Sequence, residues 1–349
     1  MLALAGYPIG ITCRVLDRAA DSPGGQVADI VLGELDDEAA LARLAADVDV
    51  LTLEIENVAV TALESVHRVA VYPPPAAVHA AQDRLIEKEL FRSLGIATAN
   101  YVPIEQPADL DAATELGWPV VLKSRRMGYD GRGQRIVRSA AELAAAWETL
   151  GRVPAIAEEW VAFDRELSLI GAQGANAERV FYPLAENTHR DGILRTTLAP
   201  YLDTALERRA QGHLARIMSA LDYRGVLTVE FFHADGGLIA NEMAPRVHNS
   251  GHWTIEGAET SQFENHLRAV LGWPLGSTEV RGHSAMVNLL GRLPRPEAVL
   301  ALDGVHLHDY GKDERPGRKL GHCTLMDQDR DRLLARLAAL QTALEASDQ

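Results

Sequence analysis

Only two cysteines occur in 349 residues, Cys13 and Cys323, near opposite ends of the chain. So few thiols, so far apart, argue for reduced cysteines rather than a disulfide framework, and hence for a cytoplasmic protein. No apolar run approaches the roughly 18 to 20 residues needed to cross a bilayer. Residues 1–10 carry neither the basic start nor the cleavage pattern of a signal peptide. Positive charge is in deficit: 34 Lys and Arg against 49 Asp and Glu leave a net charge of -15. That balance argues against a general nucleic-acid surface, where clustered cations must neutralise phosphates. A small anionic ligand needs only a few local cations and is not excluded. Also lacking are the Gly-Lys-Ser/Thr ending of a Walker loop, a Ser-His-Asp or Cys-His pattern with identifiable context, and the Met-Lys pair of a biotin-carrying lysine.

What is present is ordinary in bulk, with 47% hydrophobic and 24% charged residues, as in soluble globular proteins. The length exceeds one compact core and predicts two or three lobes. Residues 2–6 read as the last turns of a helix, followed by strands at 13–17, 29–32 and 50–54 and a helix at 37–46. Strands alternating with helices predict a parallel sheet covered by helices. Such a unit begins with a strand and a Gly-rich turn. Neither is present, and a parallel sheet without its first strand leaves backbone groups unpaired; the expectation is a natural start upstream of Met1. The run Val71-Tyr72-Pro73-Pro74-Pro75 reads as a stiff extended linker. A helix over 82–94 then stops at Gly95. Further on, the pattern predicts a hairpin over 118–136, a helix at 140–150 and strands through 156–198. It continues with a helix at 205–221, strands at 226–232 and 238–243, a sheet region at 285–308 and a helix at 330–345. The division expected is 1–79, 80–154, 155–275 and 276–349.

Four clusters carry chemistry. In Lys123-Ser124-Arg125-Arg126-Met127-Gly128-Tyr129-Asp130-Gly131-Arg132-Gly133-Gln134, the glycines would let backbone N–H groups approach a phosphate closely, with Lys123 as a point charge. Taken alone, this loop reads equally well as a simple hairpin turn. Glu158-Glu159-Trp160-Val161, followed by Glu166, would suit an adenine edge and a ribose carboxylate, although alone it reads as an acidic strand end. Glu230 and Glu242 fall on two adjacent predicted strands and make a hard-oxygen pair suited to Mg²⁺ with ATP phosphates. Glu242 lies within Asn241-Glu242-Met243-Ala244-Pro245-Arg246-Val247-His248-Asn249-Ser250-Gly251-His252-Trp253, where polar groups are too dense for mere surface. Arg315-Pro316-Gly317-Arg318-Lys319-Leu320-Gly321-His322 concentrates cations on a turn able to hold a phosphate monoester. His306 and His308 alternate on one strand, but zinc needs more ligands than two, so both read as structural.

The stretches 128–134, 241–253 and 315–319, with Glu54-Ile55-Glu56-Asn57 and the segment 187–195, resemble the N5-carboxyaminoimidazole ribonucleotide synthetase family of the ATP-grasp superfamily, a resemblance that runs from the first residue nearly to the last. The resemblance implies a mixed α/β and α+β chain: an N-terminal parallel-sheet pre-ATP-grasp lobe lacking its first strand, a small lobe with a Gly-rich lid, and a C-terminal β-rich lobe. It also implies carboxylation of aminoimidazole ribonucleotide with ATP and bicarbonate. Arg84, Lys123 and the loop Gly128, Tyr129, Asp130, Gly131, Gly133 and Gln134 would hold ATP phosphates. Glu158, Glu159, Trp160 and Val161 would border the adenine, Glu166 the ribose, and Glu230 and Glu242 Mg²⁺. Arg246 would stabilise the phosphorylated bicarbonate. Glu54, Tyr129, Arg132, His248, Asn249, Lys312, Arg318 and Lys319 would surround the imidazole nucleotide, with Lys123, Arg132, His248 and Asn249 joining Arg246 in catalysis. A formate-using transformylase on the same scaffold, or an ATP-binding protein without catalysis, is the alternative. Small molecules are the expected partners, with a homodimer possible and no nucleic acid or membrane.

Overall fold

A computed structural model describes residues 1–128 and 133–347; Tyr129, Asp130, Gly131 and Arg132 of the Gly-rich loop lie outside the described residues. The first segment holds two separate parallel pairs, Arg14–Asp17 with Asp29–Leu32 and Val50–Leu51 with Ala70–Val71. The strand expected over 50–54 is shorter than its apolar pattern. Beyond Leu51 the Thr52 hydroxyl bonds His266 Nε2 at 2.6 Å, and Leu53 turns into the core. The proline run does not continue as a linker. Pro75 is the first residue of helix Pro75–Gln82, where its fixed φ and missing N–H carry no penalty. The helix expected over 82–94 breaks at Asp83, which adopts φ -123° and ψ 111° and caps a new helix, Arg84–Ser93. That helix ends as expected, with Gly95 at φ +64°.

The predicted hairpin is Val120–Ser124 paired with Gln134–Val137, Lys123 opposite Gln134. It belongs to a four-stranded antiparallel sheet in the order Tyr101–Ile104, Ala155–Glu159, Val120–Ser124, Gln134–Val137. Helix Ala140–Thr149 covers it, placing Leu143 and Trp147 against Ile104, Val120 and Leu122. The division expected at 154 therefore falls inside this sheet, because Ala155–Glu159 pairs with Val120–Ser124.

Among the described residues, nine strands form the large antiparallel sheet. Within it, strand Arg165–Gln173 is flanked by Gly225–Ala234 and Ala185–Arg190. Alternate residues of this strand feed two cores. Leu167 and Leu169 pack with Leu214 and Ile217 of helix Thr204–Ala220 and with Phe91 and Ile96. Ile170 and Ala172 pack with Phe263 and Leu267 of helix Gln262–Leu271. Burying a side chain such as Phe91 fully is worth about 2 kcal/mol. The strands of the last segment, His283–Leu290, Val305–Asp309 and Lys319–Asp327, extend the same sheet rather than making another. Half of the basic stretch read as a turn, Lys319 to His322, is thus strand. No helix among the described residues is long and apolar enough to cross a membrane.

Candidate active site

A cavity of about 400 Å³ opens between the four-stranded sheet and the large sheet. Strands Gly225–Ala234 and Gly237–Ala244 bring Glu230 directly opposite Glu242, as their spacing predicted, beside a register shift at Glu230. Both carboxylates line the cavity. Arg84 Nη1 lies 2.8 Å from Glu242 Oε2, and His248 Nε2 lies 3.1 Å from Glu230 Oε1. Burial pushes the Glu242 carboxyl up, but the charge and hydrogen bond of Arg84, with Lys123 and His248 nearby, bring it down to about 2.

Beneath the acidic pair lies a buried group of charges. Lys123 Nζ is 2.9 Å and Lys88 Nζ 3.4 Å from Glu158 Oε2. The two cations outweigh burial and hold Glu158 at about 2. Lys88 also donates to the Asn241 carbonyl at 3.0 Å. In the residue just before it, Glu87 Oε1 accepts from Met243 N at 2.6 Å. Burial first, and the Glu242 charge second, push the Glu87 carboxyl up to about 8. Glu158, Glu159, Trp160 and Val161, expected to border an adenine, all line the cavity. The Glu158 side chain is engaged by Lys123 and Lys88, and the residue lies between Tyr101 and Val121 in the sheet. Phe163 and Phe232 stack at 4.6 Å on the same wall. Gly128, Gln134 and Glu166 reach the cavity; Gly133 closes the hairpin, its carbonyl accepting from Ser124 N at 2.8 Å.

Arg246 forms a forked pair with Glu56, Nη2 to Oε1 at 3.0 Å and Nε to Oε2. Burial and this partner act in opposite directions on Glu56, and the pairing prevails to lower it. Gln262 bonds both the backbone N–H and the carbonyl of His248, at 2.9 and 2.6 Å. The amide Nδ2 and Oδ1 of Asn249 are buried in the cavity wall without a protein partner, as a ligand-facing group would be. Lys319 lines the cavity, whereas Glu54, Lys312 and Arg318 are not part of its wall. They lie just beyond it: burial first, then Arg318 and Lys319, lower the Lys312 ammonium, while Glu54 acts to raise it. His308 is held by Glu256 at 2.8 Å and stacks on His322 at 4.3 Å.

Three groups escaped residue-level reading. His189 Nδ1 bonds Glu166 at 3.0 Å and its Nε2 lies 3.9 Å from Glu230; it sits in the segment 187–195 that matched as a block. Glu56 lies in the matched Glu54–Asn57 stretch, whose pattern does not say which acid meets Arg246. Glu87 and Lys88 gave no signal beyond being charged residues on an amphipathic helix.

Two lobes clasping a cation-rich cleft, closed on one side by paired carboxylates on adjacent strands, define an ATP-grasp protein. Residues 89–263 match the ATP-grasp domain, residues 1–82 the ribonucleotide synthetase preATP-grasp domain, and residues 284–336 the phosphoribosylaminoimidazole carboxylase C-terminal domain. The chain is 46% identical to the N5-carboxyaminoimidazole ribonucleotide synthase of Pseudomonas aeruginosa over 348 residues, 99% of this chain and 96% of that protein. The crystal structure of the synthetase from Thermus thermophilus is similar, at 51% identity and TM-score 0.93, over 97% of this chain and 95% of that one. So is the synthase from Aspergillus clavatus in complex with ADP and 5-aminoimidazole ribonucleotide, at 33% identity and TM-score 0.92, over 99% and 95%. The chain belongs to the N5-carboxyaminoimidazole ribonucleotide synthase family, and is an ATP-dependent ligase.

The raised Glu87 carboxyl has a pH signature. A carboxyl whose folded pKa of about 8 exceeds its unfolded value of about 4.3 contributes stability that is complete below the unfolded value. That contribution is lost as pH rises through the folded one. Glu87→Gln keeps an acceptor for Met243 N and cannot ionise. Thermal melts at about pH 5 and pH 8 should show a smaller fall in Tm for the variant than for the parent chain. Equal falls would mean that Glu87 ionises normally.

Proposed function

We propose that this chain transfers the γ-phosphoryl group of ATP to bicarbonate and passes the activated carboxyl to the exocyclic amine of 5-aminoimidazole ribonucleotide. The products are N5-carboxyaminoimidazole ribonucleotide, ADP and phosphate, a step of purine biosynthesis. The observation that carries this reading is one continuous cavity lined by Arg84, Lys123, the Glu230–Glu242 pair, Arg246 and Lys319. It joins cations for a triphosphate to a cation beside the basic segment that suits a phosphate monoester. The two cysteines are free, which fits a reducing compartment such as the cytoplasm. In lobes, the chain reads as 1–79, 80–154 extended by its last strand to Glu159, the remainder to 275, and 276–349.

Arg84 and Lys123 hold the ATP phosphates. Glu158, Glu159, Trp160 and Val161 border the base, and Glu166, with His189, borders the ribose. Glu230 and Glu242 suit Mg²⁺. They offer hard oxygens from facing strands, although among the described residues they are a pair and no larger group of metal ligands forms. When bound, the ion would neutralise charge on the phosphates. Positioning and electrostatics dominate such a transfer. Bicarbonate oxygen attacks the γ-phosphorus in line, the bond to ADP breaks, and carboxyphosphate results. Arg246, aimed by Glu56, offsets the negative charge on that intermediate. His248 and Asn249, fixed through Gln262, face the reacting carboxyl. The nucleotide amine takes the carboxyl group, releasing phosphate and a proton, while Lys319, with Arg318 and Lys312 behind it, holds the substrate phosphate.

ADP release by the purified chain with ATP, Mg²⁺ and bicarbonate should depend on added 5-aminoimidazole ribonucleotide. Release that instead needs formate and glycinamide ribonucleotide would favour the transformylase reading; binding of ATP without any release would favour a non-catalytic one. Removing a charged donor to the reacting centre costs about 3 kcal/mol of transition-state stabilisation, so Arg246→Ala should lower kcat by about a hundredfold. Near-normal turnover in that variant would remove Arg246 from the mechanism.

A further inference from the structure

Asp83 interrupts what the sequence reads as one helix, and its side chain is almost wholly buried. Oδ1 accepts from the Leu85 N–H at 3.1 Å, which caps helix Arg84–Ser93. Capping uses one oxygen, and asparagine performs it as well as aspartate. Yet Oδ1 also accepts from Arg125 Nε at 2.9 Å. Oδ2 accepts from Arg125 Nη2 at 2.8 Å and from Arg126 Nε at 3.2 Å. This forked, charge-assisted contact is the strong kind, and it exceeds what a cap requires. Burial alone would raise the Asp83 carboxyl, and the Arg125 partner reverses that to lower it.

The contact stands where two phosphate-directed cations enter the cleft. Arg84 follows Asp83 directly, and its N–H donates to the Arg125 carbonyl at 3.0 Å. Lys123 precedes Arg125 by two residues at the end of strand Val120–Ser124. Arg125 is fixed from its other side, its N–H on the Pro154 carbonyl at 3.0 Å and Nη1 on Glu105 at 2.6 Å. From this anchor Arg84 reaches Glu242 in the large sheet at 2.8 Å, and Lys123 reaches Glu158 at 2.9 Å.

We propose that Asp83 is a positioning residue for phosphoryl transfer, clamping Arg125 so that Arg84 and Lys123 keep one fixed spacing over the ATP phosphates. The inference rests on the assignment of those two cations to the phosphates. It separates the cap from the clamp: Asp83→Asn retains the cap and loses the charged fork, whereas Arg125→Lys leaves Asp83 and its cap untouched.

The test is steady-state ADP release by the full chain for Asp83→Asn, Arg125→Lys, the double variant and Lys123→Ala, each assayed well below its Tm. ATP is varied at saturating 5-aminoimidazole ribonucleotide and bicarbonate, then the imidazole nucleotide at saturating ATP. Misplacement by about an ångström costs on the order of a hundredfold, so both single variants should lose about ten- to a hundredfold in kcat/KM for ATP. The KM for the imidazole nucleotide should stay within about twofold. Residues acting through one contact are non-additive, so the double variant should be no worse than the poorer single. If Asp83→Asn does not fold, Arg125→Lys carries the test. Normal kcat/KM for ATP in these variants while Lys123→Ala is impaired would overturn the clamp and leave the phosphate assignment standing. An unimpaired Lys123→Ala would overturn the assignment and the clamp with it. Equal losses toward both nucleotides, or full additivity, would reduce Asp83 to a structural cap.

Discussion

Lys123 and Lys88 reach the same oxygen of Glu158, one from a strand of the small sheet and one from helix Arg84–Ser93. All three side chains are buried. Removing an ion from water costs several kcal/mol unless partners compensate, so none of these residues can occupy its place without the others. The group therefore fixes where the helix, the small sheet and the middle of strand Gly237–Ala244 meet, through Asn241. It does so just below the position that ATP phosphates would take. The same helix sends Arg84 to Glu242 and Glu87 to the Met243 N–H, so the floor and the acidic wall of the cleft share one support.

This arrangement reconciles an acidic protein with anionic substrates. The net charge of -15 belongs to the surface as a whole, whereas the cleft holds cations whose partners are carboxylates of the protein itself. Arg246 is kept by Glu56, and Arg125 by Asp83. Held cations cost little reorganisation when charge develops beside them, which is why preorganised donors are effective. Of the basic segment, Lys319 lines the same cavity, and the Lys312 ammonium behind it is lowered by burial first and then by Arg318 and Lys319, with Glu54 acting to raise it.

Periodicity made most of the scaffold legible. The hairpin around Lys123, helices Ala140–Thr149 and Thr204–Ala220, and the facing strands of Glu230 and Glu242 fall where alternation and helical spacing place them. The misses share a cause. The break at Asp83, the short strand Val50–Leu51 and the strand character of Lys319 to His322 are each decided by a distant partner: Arg125, His266 and the neighbouring strands His283–Leu290 and Val305–Asp309. Local sequence carries no trace of such partners. The same holds within the site. Lys123, Arg246 and the acidic pair stand out by type and context, but Glu56, Glu87, Lys88 and His189 acquire roles only from the groups that the fold sets against them.

The proposed reaction moves a phosphoryl group onto bicarbonate before any carbon is transferred. The most direct measurement is the fate of oxygen in a single turnover with ¹⁸O-labelled bicarbonate, ATP and 5-aminoimidazole ribonucleotide, with the released phosphate analysed by mass. Phosphoryl transfer to bicarbonate predicts one labelled oxygen in each phosphate released. Phosphate without label, formed alongside the carboxylated nucleotide, would mean that ATP is hydrolysed by water and that the carboxyl group is activated by another route.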